Sequence, residues 1–370
     1  MPSFDEVFPY FPSATNSTRI FFVKMLLSID EISMKAVEIE FYMAILGIIL
    51  TVFHLIILTK KQMRTSSIIS LMIVIAVCDL INMISAISIK DIFLNFDEKD
   101  CVLPNSLFAC YLFKVVTTIR DDAIRCSTWL SVSLALIRYL MMKRAEFNSK
   151  IAKFRFGFHI FGGTFLVSTL FSILFYFRTK IVKTGDWKPA EYCPNILTIE
   201  PIYDVVTSDL FALNNGMIYR VYMFFNGTFS NILPCIFLPV LTALLISVLR
   251  TTERSNQNSN VSALEKNKLE RTTGLVIFIS ITFFIALLPI GIATALQAIY
   301  TDIGFTYIGA YIRMIGSALF TVDATIHCFI CFVMSSQYRA TVKKLLRISE
   351  NHVVVGTETV HSRIGSLVRL

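Results

Sequence analysis

Residues 68–89, IISLMIVIAVCDLINMISAISI, decide the fold. A bilayer core is crossed by about 20 mainly apolar residues in a helix, and this run reaches that length with one charge, Asp79. It does not alternate apolar with polar residues, as a barrel strand does. In lipid only helices and closed barrels satisfy their own backbone groups, so the run is read as a transmembrane helix. On either side lie six further apolar runs, at 39–59, 110–142, 156–177, 222–249, 272–299 and 308–334, with polar breaks between them. The predicted fold is an all-α integral membrane protein, a seven-transmembrane helix bundle.

Composition agrees. Of 370 residues, 55% are hydrophobic and 16% charged, against about 25% charged in a soluble chain; the mean hydropathy is +0.67. Such a chain has too little polar surface to cover water-facing cores. The 32 Phe and 13 Tyr exclude a disordered chain, and 14 Gly with 8 Cys exclude collagen and a small disulfide scaffold. The net charge of +8 is dispersed, with no basic patch interleaved with aromatics, so nucleic acid is not an expected partner. Neither Gly-x-Gly-Asp nor His-Glu-x-x-His occurs, so no catalytic set, metal site or cofactor is expected and the chain is not read as an enzyme.

Lys and Arg concentrate in the loops that face the cytoplasm. With the N-terminus outside, the inner segments carry nineteen of them and the outer segments ten. The predicted arrangement is a plasma-membrane protein with an extracellular tail at 1–38, the seven-span domain at 39–334, and a cytoplasmic end. After the last span, residues 335–348 have amphipathic spacing and a basic face, which reads as an interfacial helix on the anionic inner leaflet. Residues 349–370 form a cytoplasmic tail.

Charged residues inside a span cost on the order of 3 kcal/mol at the bilayer centre and therefore face the bundle and find partners. Asp79 in the second span, with Asp323 and His327 one turn apart in the seventh, predicts a protonatable core network. Pro234 and Pro289 each remove a backbone donor and mark bends in the fifth and sixth spans. Arg138 and Tyr139 end the third run at its cytoplasmic edge. Within that run, Arg120-Asp-Asp-Ala-Ile-Arg125 places Asp121 and Asp122 four and three residues before Arg125, a spacing for internal pairing. The same charges, Arg120, Asp121 and Arg125, are the candidates to line a ligand pocket.

The ordered set Leu58 to Ser67, Cys78-Asp-Leu80, Trp129-Leu, Ala135-Leu-Ile-Arg138, Leu233-Pro-Cys235, Leu288-Pro289 and Met334-Ser-Ser-Gln-Tyr-Arg339 resembles rhodopsin-like G-protein-coupled receptors of the FMRFamide-type peptide branch. More narrowly it is similar to the nematode serpentine receptor class W chemoreceptors, over about residues 39–348. The resemblance implies an outer pocket for an extracellular peptide or small-molecule agonist and an inner site where Arg138 and Tyr139 meet a heterotrimeric G protein. It also implies a disulfide from the top of the third span to the second outer loop, either Cys110 with Cys193 or Cys101 with Cys193. Asn16-Ser-Thr18 is a glycosylation sequon in the outer tail.

The departures from the family pattern are specific. Ile137 stands where an acid usually restrains the following Arg, Leu287 where a tryptophan precedes the helix-six Pro, Thr51 where the first span has Asn, and His327-Cys-Phe-Ile-Cys331 where Asn-Pro-x-x-Tyr is usual. The missing acid implies raised basal activity. Helix seven has no Lys to form a Schiff base with retinal. Two other readings stay open: a seven-helix ligand-gated channel, which would hold its N-terminus inside, and a membrane binding protein that does not couple. The loop from about 178 to 221, long and aromatic, is expected to cover the pocket.

Overall fold

The computed structural model describes residues 4–64, 66–93, 103–143, 151–189, 199–256, 263–334 and 336–346. The elements are α1 (Phe4–Val7), α2 (Asn16–Leu58), α3 (Ser67–Phe93), α4 (Leu107–Lys143), α5 (Phe154–Phe177), β1 (Thr179–Trp187), β2 (Glu200–Thr207), α6 (Asp209–Gly227), a π segment (Thr228–Ile232), α7 (Leu233–Asn256), α8 (Ala263–Leu296), α9 (Ile303–Met334) and α10 (Ser336–Leu345). Helices α2, α3, α5, the continuous α6–π–α7 rod and α9 are long and apolar enough to cross a membrane, and α8 carries the shorter apolar stretch Ser280–Leu296. Helix α4 is more polar, because the charges from Arg120 to Arg125 interrupt it, and it lies among α3, α5 and α7. Each expected span overlaps one of these rods.

Packing follows from the solvent. Lipid tails are as apolar as leucine, so helices associate through close contact at small residues and through polar links, not through hydrophobic burial. Leu166 and Leu170 of α5 and Ile45 and Ile49 of α2 accordingly point outward. The interfaces hold glycines: a Cβ on Gly47 would strike Met83 and Thr325, and one on Gly227 would lie 2.7 Å from the Ala295 nitrogen and 2.8 Å from the Gly291 carbonyl. Two apolar clusters fill the centre, one from α3 and α4 around Leu71, Ile75, Cys126 and Leu130, the other from α4, α7, α8 and α9 around Val132, Leu238, Phe283 and Phe320.

Four expectations about the architecture are corrected. Helix α2 starts at Asn16, inside the segment read as a tail, because the polar residues before 39 are compatible with a helix that continues past the apolar run. Before it, Phe11 packs edge-on to Phe305 at 5.4 Å and Ser13 bonds both oxygens of Asp302, at 3.0 Å from its nitrogen and 2.6 Å from its hydroxyl, so the chain's first residues cap the start of α9. The segment after α5 is not a plain loop. Strands β1 and β2 pair antiparallel from Thr179↔Thr207 to Trp187↔Glu200, with an irregularity between Lys183 and Gly185. The fifth rod then begins at Asp209, and Leu213 to Gly216 break its helical geometry, with Asn214, Asn215 and Gly216 at positive φ; Asn and Gly are the residues that accept that conformation. Finally, α7 runs to Asn256 and α8 begins at Ala263, so both helices continue past the cytoplasm-facing ends of the runs expected at 222–249 and 272–299.

Pro234 is the second residue of α7, immediately after the π segment. A proline ring displaces the carbonyl four residues earlier, and the wider π turn supplies that room. The irregularity expected at Pro234 is therefore a π turn ahead of it. Pro289 lies inside α8, and Pro239, which the sequence reading did not single out, lies inside α7.

Candidate functional site

Two cavities open toward opposite ends of the bundle. The first, toward α10, has a volume of about 200 Å³ and is lined by Asp79, Ser127, Arg138, Asp323, His327, Cys331 and Tyr338 among apolar side chains. Asp79 is held by α3 and accepts a hydrogen bond from Ser127 Oγ of α4 at 2.8 Å; its second oxygen lies 3.9 Å from His327 Nδ1 of α9. Asp323 turns instead to α8, accepting from Thr282 Oγ1 at 2.7 Å. The three expected core residues thus share one cavity, with Asp79 and His327 facing each other and Asp323 linked to a different helix.

The sequence reading missed two residues that enlarge this cluster. His54 of α2 has its Nδ1 2.9 Å from the Tyr338 hydroxyl of α10, and its ring centroid is 5.7 Å from that of His327. Burial, with Cys328 beside it, pushes the Tyr338 phenol up, so the hydroxyl stays protonated. A lone His in the first apolar run and a Tyr just past the seventh were visible signals, but only folding brings residues 54 and 338 together.

Arg138 lines the same cavity. Among the described residues no carboxylate is paired with it. Ile137, where the family usually has an acid, is buried in the α3–α4 cluster with Leu71 and Ile75. Tyr139 accepts from Lys143 Nζ at 2.9 Å, one turn along α4. Leu287 is buried against Phe283 and Phe320, while Trp129 of α4 stacks on Phe229 of the π segment at 4.9 Å.

The second cavity lies beside the hairpin, has a volume of about 390 Å³ and is walled by α2, α3, α4, the end of α5, β1, the fifth rod, α8 and α9. Arg120, Asp121 and Arg125 all reach it, but all three are already engaged. Arg120 pairs with Glu40 of α2 and donates from Nε to Asn82 Oδ1 at 3.0 Å; Thr321 of α9 also donates to Glu40, at 2.9 Å. Arg125 is buried and tied on every side. It pairs with Asp121 and donates to Ser230 Oγ at 2.8 Å, the Ser168 carbonyl at 3.0 Å and Ser172 Oγ at 2.9 Å. Arg125, one of the candidate pocket residues, lines the cavity and is also the knot joining α4, α5 and the π segment.

The internal pairing is also corrected in part. Asp121 meets Arg125 as the four-residue spacing predicts, whereas Asp122, turned about 100° further round the helix, faces α5 and accepts from Ser168 Oγ at 2.5 Å and Thr169 Oγ1 at 3.3 Å. The reading passed over Glu40, Asn82, Lys114, Arg178 and Arg313, all of which build or border this cavity. Glu40 at the edge of the first apolar run and Arg313, the one basic residue in the seventh, carried the available signal: a charge in an apolar run needs a partner or a ligand.

Cys110 is a buried free thiol, so it does not bridge to Cys193; Cys101 and Cys193 both lie outside the described residues. Asn16 is exposed at the first position of α2. Among the described residues no group of His, Cys, Asp and Glu side chains could hold a metal ion.

A helical membrane bundle with a charged cavity toward one end and, toward the other, a cavity whose arginine has no carboxylate partner among the described residues has the layout of a receptor. The chain belongs to the serpentine seven-transmembrane G-protein-coupled chemoreceptor family Srw, whose profile matches residues 38–349; this is a receptor class, not an enzyme class. It is 22% identical over 302 residues to the G-protein coupled receptor dmsr-1 of Caenorhabditis elegans, covering 71% of this chain and 58% of that protein. It is 24% identical over 322 residues to the sex peptide receptor of Drosophila melanogaster, covering 82% of this chain and 70% of that protein. The chain thus spans little more than half the length of the first of these relatives.

Proposed function

We propose that this chain is a plasma-membrane receptor, N-terminus outside and C-terminus in the cytoplasm, in which the hairpin-side cavity takes an extracellular peptide or small-molecule agonist and the α10-side cavity opens to a heterotrimeric G protein. The observation that carries this reading is the pair of cavities, both walled by α3, α4, α8 and α9, with Arg138 in the α10-side one and, among the described residues, no acid holding it. Agonist shifts the population only by preferring the active arrangement. In that arrangement α8 swings outward about the region of Pro289, and Arg138 and Tyr139 meet the G protein. Asp79, Asp323 and His327 act as a protonatable network between the two sites. Cys101 with Cys193 forms the outer disulfide, Asn16 carries glycan, and α10 lies on the inner leaflet with its basic face toward anionic lipid.

The test is G-protein dissociation in cells expressing the intact chain or Arg138→Ala, with and without a panel of amidated short peptides. A response by the intact chain that Arg138→Ala loses at equal surface expression is the expected result. Basal dissociation above that of untransfected cells is expected as well, because no acid restrains Arg138. Silence with every G-protein subtype despite surface expression, or a C-terminal tag reached from outside intact cells, overturns the reading.

A further inference from the structure

We infer that the hairpin-side cavity is selective for anions and holds the carboxylate of its ligand between Arg313 of α9 and Arg178 at the end of α5. This deepens the proposed function, because it rests on that cavity being the ligand site. The argument is one of charge. Six cationic side chains line the cavity, Lys90, Lys114, Arg120, Arg125, Arg178 and Arg313, against two carboxylates, Glu40 and Asp121. Both carboxylates are taken, Glu40 by Arg120 and Asp121 by Arg125.

The remaining cations are held by weaker partners. Lys114 donates to the Thr179 carbonyl at 2.6 Å and sits over the Tyr176 ring. Lys90 lies 4.1 Å from the centre of the Phe41 ring. Arg178 rests over Phe175 at 4.7 Å, and its Nε is buried without a hydrogen-bond partner. Arg313 has no carboxylate within ion-pair distance among the described residues, and it lines the same cavity as Arg178.

Two guanidiniums lining one partly desolvated cavity without a carboxylate of their own are an unfavourable arrangement that an anion relieves. A guanidinium presents a planar fork of donors that matches a carboxylate. The apolar lining supplied by Phe113, Ile290 and Met314 suits the rest of the ligand. A ligand of this chemistry is an organic acid or a peptide bearing an acidic side chain or a free C-terminus.

The test needs no known agonist and no G protein. Ser317, one turn after Arg313 on the cavity wall, is changed to cysteine in the full-length chain in lipid nanodiscs. Its rates with an anionic sulfonatoethyl and a cationic trimethylammonioethyl methanethiosulfonate are measured, each corrected for the chain without the new thiol and normalised to a free thiol. The anionic reagent is expected to be preferred on the order of tenfold, as one or two uncompensated charges at contact range imply. Adding Arg313→Gln, or in a second variant Arg178→Gln, is expected to cut the preference severalfold; the pair guards against one variant failing to fold.

Hexanoate, hexanamide, and a tetrapeptide as free acid and as amide are then offered as protectants. Protection by an acid and not by its amide is the expected result, and which acid protects separates a small-molecule source from a peptide one. Equal rates for the two reagents, a cationic preference, or protection by none of the acids overturns the inference, whatever the outcome of the G-protein assay.

Discussion

The Nδ1 of His54 and the hydroxyl of Tyr338 lie 2.9 Å apart, which fastens the first long helix to the short helix that follows the last one. Both side chains are buried, and His54 Nε2 has no hydrogen-bond partner among the described residues. Tyr338→Phe would leave a second imidazole nitrogen without its bond. Stranding a buried polar group costs about 1–3 kcal/mol, so the purified variant should melt several degrees lower. His54→Phe combined with Tyr338→Phe should cost less than the two single losses added, because both remove one bond. Additive losses in that double-mutant cycle would show that the two groups do not interact.

Glu40 and Arg120 make a different kind of link. The pair is buried, and Asn82 and Thr321 complete it, so four helices meet there. Breaking a buried ion pair from one side costs about 3–5 kcal/mol, because the remaining charge is left uncompensated. Glu40→Gln should therefore reduce the surface-expressed fraction and the melting temperature sharply. Glu40→Gln with Arg120→Gln should recover part of both, since two amides can bond without a stranded charge. A double variant no better than Glu40→Gln alone would refute the charge argument.

Arg125→Lys separates a structural arginine from a ligand-binding one. Lysine keeps the charge but replaces a planar fork by a single ammonium, so it cannot serve Asp121, Ser230, Ser172 and the Ser168 carbonyl together. With hydrogen bonds to charged groups contributing about 1.5–3 kcal/mol each, a loss of roughly 3 kcal/mol in stability is expected from two lost bonds. It should be seen in ligand-free protein by thermal unfolding. Unchanged stability with altered agonist potency would return Arg125 to the pocket.

How much of this was legible in the sequence depended on whether the signal was local. The seven apolar runs are local, and each lies in a helix. Asp79, Asp323 and His327 stood out as charges or a titratable ring in apolar surroundings, and they share a cavity. The hairpin was hidden because Thr179–Trp187 and Glu200–Thr207 are of mixed polarity and joined by a long connection, with no period-2 apolar face to mark them. Partner choice was hidden as well. Spacing alone offered Arg125 both Asp121 and Asp122, and only the position of α5 assigns Asp122 to Ser168 and Thr169. The outward extension of α2 was missed because hydropathy marks where lipid ends, not where a helix ends.

Gly227 is where the fifth rod meets the backbone of α8. A Cβ there would lie 2.7 Å from the Ala295 nitrogen and 2.8 Å from the Gly291 carbonyl, and backbone cannot rotate away as a flexible side chain can. Gly227→Ala must push α8 aside, at an overpacking cost of about 1–3 kcal/mol. The contact joins the residue just before the π segment to the turn of α8 just after Pro289, so it is placed to act as the pivot about which α8 turns. Gly227→Ala should therefore lower the melting temperature and change basal G-protein dissociation relative to the intact chain at equal surface expression. Lower stability with unaltered basal dissociation would make Gly227 a packing residue only, and would move the pivot toward Pro289 itself.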